Sequence, residues 1–107
     1  MKQRKLEFHG TSKRDLLKFP DPAMKAAGYQ LRKVQNGMEP SDWKYVHNVG
    51  PGTMEIRIWE NGDTFRVFYV ARHGDSVHVL HCFQKKTNET QQRDIDIAKK
   101  RYKEIGG

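Results

Sequence analysis

Charged residues lie inside strand-like runs of this 107-residue chain. Glu55 and Arg57 sit within Met54-Glu55-Ile56-Arg57-Ile58, and Arg66 sits within Phe65-Arg66-Val67-Phe68-Tyr69. Val77 to Phe83 runs straight into Gln84-Lys85-Lys86-Thr87-Asn88. A buried charge without a partner costs several kcal/mol, and even an unsatisfied polar group costs roughly 1–3 kcal/mol. The simplest partner for such arginines is an anionic ligand. Arg57 and Arg66 suit bidentate contact with a phosphate, while Lys85, Lys86 and Thr87 gather at a strand end where further phosphates can be held. Glu55 and His81 supply groups able to accept or donate a proton, an imidazole having an ordinary pKa of ~6.5. Tyr69 can stack on a base or position a phosphate. Each residue also has a structural alternative. Glu55 can simply orient Arg57, or pair with both arginines and fix strand register. His81 can be a satisfied core residue, Tyr69 a half-buried strand aromatic, and Lys85 and Lys86 solubilising loop residues.

Alternation dictates which of these groups share a side. Met54, Ile56 and Ile58 point one way, so Glu55, Arg57 and Trp59 point the other. On the next strand Arg66, Phe68 and Val70 share a side, and the core face is plainest if Arg66 joins Arg57 and Tyr69 joins the core. On the last strand the pattern places His81 with Val77, Val79 and Phe83, and His78 with Leu80 and Cys82, without saying which set is buried. Glu60-Asn61-Gly62-Asp63 predicts a tight hairpin, and Arg72-His73-Gly74-Asp75 a second, giving a three-strand antiparallel meander. Before it come a short strand at Leu6 to His9 and a brief helix through Leu16, Leu17 and Phe19, capped near Ser12 with Asp15 three positions on. Pro20 stops that helix. Asp21-Pro22 starts a second one, with Met24, Ala27, Leu31 and Val34 on one face and Asn36-Gly37 at its end. Met38 to Gly52 is expected to be irregular, pinned to the core by Trp43 and Tyr45. Ile95, Ala98, Tyr102 and Ile105 mark a closing helix entered through Thr90 and ended by Gly106-Gly107.

Composition bounds the function. The length fits one domain, residues 1–107, with a single core. Hydrophobic residues make up 36% and charged residues 31%, and no apolar run approaches the ~20 residues of a membrane span. No apolar stretch follows the basic start, so a secretory signal is not expected and the chain is read as cytoplasmic. The single cysteine, Cys82, cannot form an internal disulfide and reads as a packed strand residue. His78, His81 and Cys82 alternate sides in a regular strand, so they do not make one tetrahedral metal site, and neither metal nor cofactor is expected. A net charge of +7 favours a polyanionic partner such as RNA.

Val49-Gly50-Pro51-Gly52-Thr53-Met54-Glu55-Ile56-Arg57-Ile58, Phe65 to Tyr69, Val79 to Thr87 and Asp94-Ile95-Asp96-Ile97-Ala98, in this order, resemble the RelE-like toxins of bacterial toxin–antitoxin systems, specifically the phage-derived Gp49-like branch of HigB type. The resemblance implies an α+β fold, a twisted antiparallel sheet with two N-terminal helices and a C-terminal helix. It also implies an endoribonuclease that cuts messenger RNA on the ribosome and is neutralised by a helix-turn-helix antitoxin, the free toxin being monomeric. RNA carries its own nucleophile, the 2′-hydroxyl. A protein with no metal or nucleophilic side chain can therefore cleave it by aligning that hydroxyl and stabilising the phosphorane. On this reading Arg57, Arg66 and Lys85 act on the scissile phosphate, Glu55 and His81 are candidates for acid and base, and Lys86, Thr87 and Tyr69 hold the RNA. A fold that kept its binding surface but lost cleavage is the alternative.

Overall fold

Asn61 and Gly62 have φ values of 52° and 83°, the paired left-handed conformations of a type I′ hairpin turn, and a glycine meets that demand without strain. The turn joins β3 (Thr53–Glu60) to β4 (Asp63–Val70) and places Arg57 directly opposite Arg66. In the computed structural model, which describes residues 3–71, 74–86 and 90–105, these strands lie in one five-stranded sheet. The other elements are β1 (Lys5–Phe8), α1 (Ser12–Leu17), α2 (Asp21–Gln35), β2 (Trp43–Tyr45), β5 (Ser76–Lys85) and α3 (Gln92–Tyr102). Strand order is β1-β5-β4-β3-β2. The α+β class expected from the sequence holds, but the sheet is mixed, because β1 runs parallel to β5 while the other pairs are antiparallel.

One face of the sheet is covered by α1 and α2. Ala23, Ala27, Leu31 and Val34 recur at helical spacing and are buried against Ile56, Ile58, Val67 and Val79. Pro22 lies in the first turn of α2, where its missing N–H costs nothing. The helix ends in a Schellman arrangement: Gly37, at φ 81°, donates to Val34, and the Met38 N–H donates to the Lys33 carbonyl at 2.9 Å. Thr11, not Ser12, flanks the start of α1. Its hydroxyl donates to Asp15 at 2.7 Å, and the buried Ser12 hydroxyl donates to the Val79 carbonyl, tying α1 to the sheet.

The opposite face is only partly covered, by α3. Phe68, Val70, Leu80, Ile95 and Ala98 form its apolar cluster. Two expectations fail here. The segment from Met38 to Gly52 contains a strand: β2 pairs Trp43, Lys44 and Tyr45 with Ile56, Glu55 and Met54. Val46 and Val49 anchor it in the second cluster, whereas Trp43 is half-buried and Tyr45 exposed. Gly50 is required beside them, because a Cβ there would stand 2.7 Å from the Tyr102 ring, whose hydroxyl donates to the Pro51 carbonyl. The second failure is the alternation of β5. Phe68 opposes His81 but Tyr69 opposes Val79, so Leu80 is a bulge. The bulge shifts the phase: Val77, Val79 and Cys82 join the α1/α2 core, while Leu80 faces α3. His78, opposite Val70, and His81, opposite Phe68, therefore share the second face. The hairpin expected at Arg72 and His73 and the helix end at Gly106 lie outside the described residues.

Candidate active site

Beyond the edge of the α3 cluster, the second face turns from apolar to charged. Glu55 and Arg66 are both buried, with side chains 1% and 5% exposed, and Arg66 Nε lies 2.6 Å from Glu55 Oε2. A buried pair of this kind is stable only while both members are present. Lys44, opposite Glu55 in the ladder, brings its Nζ to 3.8 Å from Oε1. Arg57 is held separately by Asp42, Nη2 at 2.7 Å and Nε at 2.9 Å from Oδ1. The other oxygen of Asp42 accepts the Trp59 indole N–H at 2.7 Å. The exposed Trp59 ring lies 5.6 Å from the Arg66 guanidinium carbon, within reach of a cation–π interaction. Burial pushes the Asp42 carboxyl up, but the hydrogen bonds from Trp59 and Arg57 outweigh it and hold the group below the usual carboxylate range.

Lys85 completes the group. It pairs with Thr64 in the ladder, one step beyond Phe83 and Arg66 on the same face. Partial burial pushes its ammonium down; the nearby charges of Arg66, Lys44 and Arg57 push the same way, and Glu55 opposes them. Lys44, Glu55 and Lys85 line a cleft of about 560 Å³, walled by Tyr45, His47 and Thr90. Four cations thus gather around one buried glutamate, and Lys85 stands at the cleft with its proton loosened.

The remaining candidates lie elsewhere. His81 shares the face but not the cleft: its Nε2 is 2.7 Å from Asp94 Oδ1 on α3, its ring stacks on Phe83, and burial pushes its pKa down against the pull of Asp94. Tyr69 is a correction. It is 1% exposed within the α1/α2 core, on the opposite side of the sheet from Arg66, and has no surface to offer a base. Lys86 is exposed beside Arg93 in neighbouring clefts. Thr87 lies outside the described residues. Cys82, buried in the α1/α2 core, has its thiol pushed up to about 12 by burial, far from the range of a nucleophile.

Residues 14–103 match the family described as phage-derived protein Gp49-like. The chain belongs to the Gp49-like family. No curated protein matches its sequence. Among solved structures it is similar to the crystal structure of the RelBE2 toxin–antitoxin complex from Mycobacterium tuberculosis, at 20% identity and a TM-score of 0.49, over 78% of this chain and 100% of that one.

In this Gp49-like chain the arrangement can bind a phosphate diester and stabilise charge building on it, since preorganised donors in a partly desolvated site need no reorganisation during reaction. Glu55 and Lys85 supply a carboxylate and a loosened ammonium on the same cleft. Lys44 and Asp42 are the residues that sequence reasoning passed over. Lys44 had a local signal, a polar residue alternating between Trp43 and Tyr45, which is a half-buried strand pattern. Asp42 had none, because its contacts reach Arg57 and Trp59 across the sheet edge. No group of three or more His, Cys, Asp or Glu among the described residues is placed to hold a metal ion, and no described helix is long and apolar enough to cross a membrane.

Proposed function

We propose that this chain is the toxin of a type II toxin–antitoxin system: an endoribonuclease that cuts messenger RNA on the ribosome, acts in the cytoplasm and is neutralised by a helix-turn-helix antitoxin. The observation that carries this reading is the convergence of Lys44, Arg57, Arg66 and Lys85 around the buried Glu55. In the proposed reaction the 2′-oxygen attacks the adjacent phosphorus, the P–O5′ bond breaks, and a 2′,3′-cyclic phosphate and a free 5′-hydroxyl result. The 2′-hydroxyl proton leaves to a carboxylate, for which Glu55 is placed. The 5′-oxygen gains one from Lys85, whose depressed pKa suits a general acid. Arg57, Arg66 and Lys44 stabilise the phosphorane, and Asp42 and Glu55 keep the two arginines in fixed positions. No metal is needed, because the nucleophile belongs to the substrate.

The test is induced expression in a bacterium with primer extension on a translated message, comparing wild type with Lys85→Ala and Arg66→Ala. Growth arrest with new 5′ ends inside codons, lost in both variants, is the expected result. Arrest and cleavage undiminished in folded variants would remove the site. One observation favours a second reading, a binding module without cleavage: Arg66 and Glu55 already neutralise each other. That reading predicts intact message and normal growth from soluble wild-type protein.

A further inference from the structure

The active-site cleft does not end at Lys85. A smaller cavity of about 140 Å³ shares Lys85 with it and reaches Phe83, Lys86 and Arg93. Those three also line a second large cleft, of about 560 Å³, between the end of α1, the C-terminal half of β5 and the first turn of α3. Lys18 from α1 stands on its opposite rim. Lys18, Lys86 and Arg93 are exposed, and among the described residues none of them is in an ion pair. The carboxylates of the cleft are engaged: Asp15 accepts the Thr11 hydroxyl and Asp94 holds His81. Half-buried Phe83 forms an apolar wall. His81 lines the same cleft, and its Nδ1 is buried without a hydrogen-bond partner. With Nε2–H donated to Asp94, that nitrogen is a bare acceptor.

We propose that this second cleft is a nucleotide subsite for the RNA strand outside the cleaved bond, its phosphates held by Lys18, Lys86 and Arg93 and its base resting against Phe83. The inference rests on the nuclease reading and names where the strand runs after it leaves the scissile bond. Three observations point to RNA over an acidic protein segment. The cleft is continuous with the active site through Lys85, it offers an aromatic wall of the kind on which bases stack, and it contains an unfilled acceptor that a 2′-hydroxyl or an exocyclic amine satisfies.

The test uses the full chain and single-stranded RNA made uncleavable by 2′-O-methylation, as a dinucleotide spanning only the cut position and as a longer strand. Lys18→Ala/Arg93→Ala is expected to weaken binding of the longer strand by about tenfold and to leave the dinucleotide unchanged. The slope of log affinity against log salt should fall by about 1.4, two phosphate contacts at about 0.7 each. Lys18→Arg/Arg93→Lys, which keeps both charges, should restore binding. Wild-type affinity and salt slope in the alanine variant overturn the subsite, and cleavage of messages on ribosomes by that variant at the wild-type rate shows that the nuclease reading survives. A wild type that cuts on ribosomes yet binds no free strand also overturns it, since cations open to solvent need no ribosome to meet a phosphate. Loss of antitoxin binding with RNA binding intact assigns the cleft to a protein partner instead. Failure of the wild type to cut any message overturns the nuclease reading itself.

Discussion

The two large clefts on either side of the β5–α3 connection hold their cations in opposite ways. In the first, Arg66 and Lys44 lean on Glu55 and Arg57 on Asp42, at distances from 2.6 to 3.8 Å. In the second, Lys18, Lys86 and Arg93 stand in solvent without ion-pair partners among the described residues. Fixed guanidinium groups lose little freedom when charge develops on a substrate, which is what stabilising a transition state requires. Solvated lysines sweep a larger volume and meet a flexible polyanion readily, which is what holding a strand requires. The difference separates a site shaped for chemistry from a surface shaped for affinity. It also separates the costs of mutation, because only the first cleft is part of the core.

The largest effect should therefore come from breaking the buried pair. Glu55→Ala leaves Arg66 in the protein interior without its counter-charge, and a loss of about 3–5 kcal/mol in denaturant unfolding is expected. Glu55→Leu/Arg66→Met should lose markedly less than the single change, because no charge is then stranded. If the double variant is as unstable as the single one, the two side chains are not acting as a pair. Next comes Lys85→Ala, which removes a cation with no ion-pair partner. Stability should stay within ~0.5 kcal/mol of wild type, while the rate of message cleavage falls by about 10²–10³, the range for losing one transition-state donor. A stable variant that cleaves normally would move the chemistry away from this cleft.

How far the two clefts were legible in the sequence follows from how local their determinants are. The charged face of β3 and β4 was readable because Asn61-Gly62 fixes the hairpin and strict alternation does the rest, placing Glu55, Arg57 and Arg66 together and Tyr69 in the core. Naming Tyr69 as an RNA contact contradicted that pattern, and its burial bears the pattern out. The face of β5 was not readable. A single extra residue, Leu80, inverts the phase of the strand, and nothing in the alternation of Val77 to Phe83 marks it. Lys44 and Asp42 were hidden for another reason: β2 is three residues long, flanked by Pro40, Pro51 and several glycines, and is a strand only because β3 offers an edge. The second cleft depends on α1, β5 and α3 meeting in space, so no sequence-local signal could announce Lys18 and Arg93 as neighbours of Lys86.

A smaller effect probes the wall between the clefts, where His81 is held by Asp94. Burial keeps its folded pKa below the ordinary 6.5. Above that pH the imidazole is neutral in both states and contributes no pH dependence. As pH falls through 6.5 the unfolded chain takes up the proton first, so stability is lost on acidification, at a slope of at most about 1.4 kcal/mol per pH unit for this group. His9, also depressed by burial and by the neighbouring charge of His78, adds to the same limb. His81→Gln keeps a donor toward Asp94 but cannot titrate, so unfolding free energies measured from pH 7 down to pH 5 should fall less steeply than in wild type. An unchanged slope would mean that His81 is already protonated in the fold.

The smallest effect tests how tightly the first cleft is held. Trp59→Phe removes one of the hydrogen bonds on Asp42 but keeps an aromatic ring beside Arg66. Because Trp59 is 63% exposed, water can replace the lost donor, and the cost to stability should be about 1 kcal/mol or less. The Asp42 carboxyl should then titrate closer to its ordinary value, a shift readable by following its side-chain carbon resonance with pH. Arg57 keeps both of its own contacts to Oδ1, so cleavage should fall only a few-fold, far less than on losing Lys85. A loss as large as that of Lys85→Ala would mean that the Trp59 ring itself meets the substrate, which would make the first cleft a surface for bases as well as for phosphate.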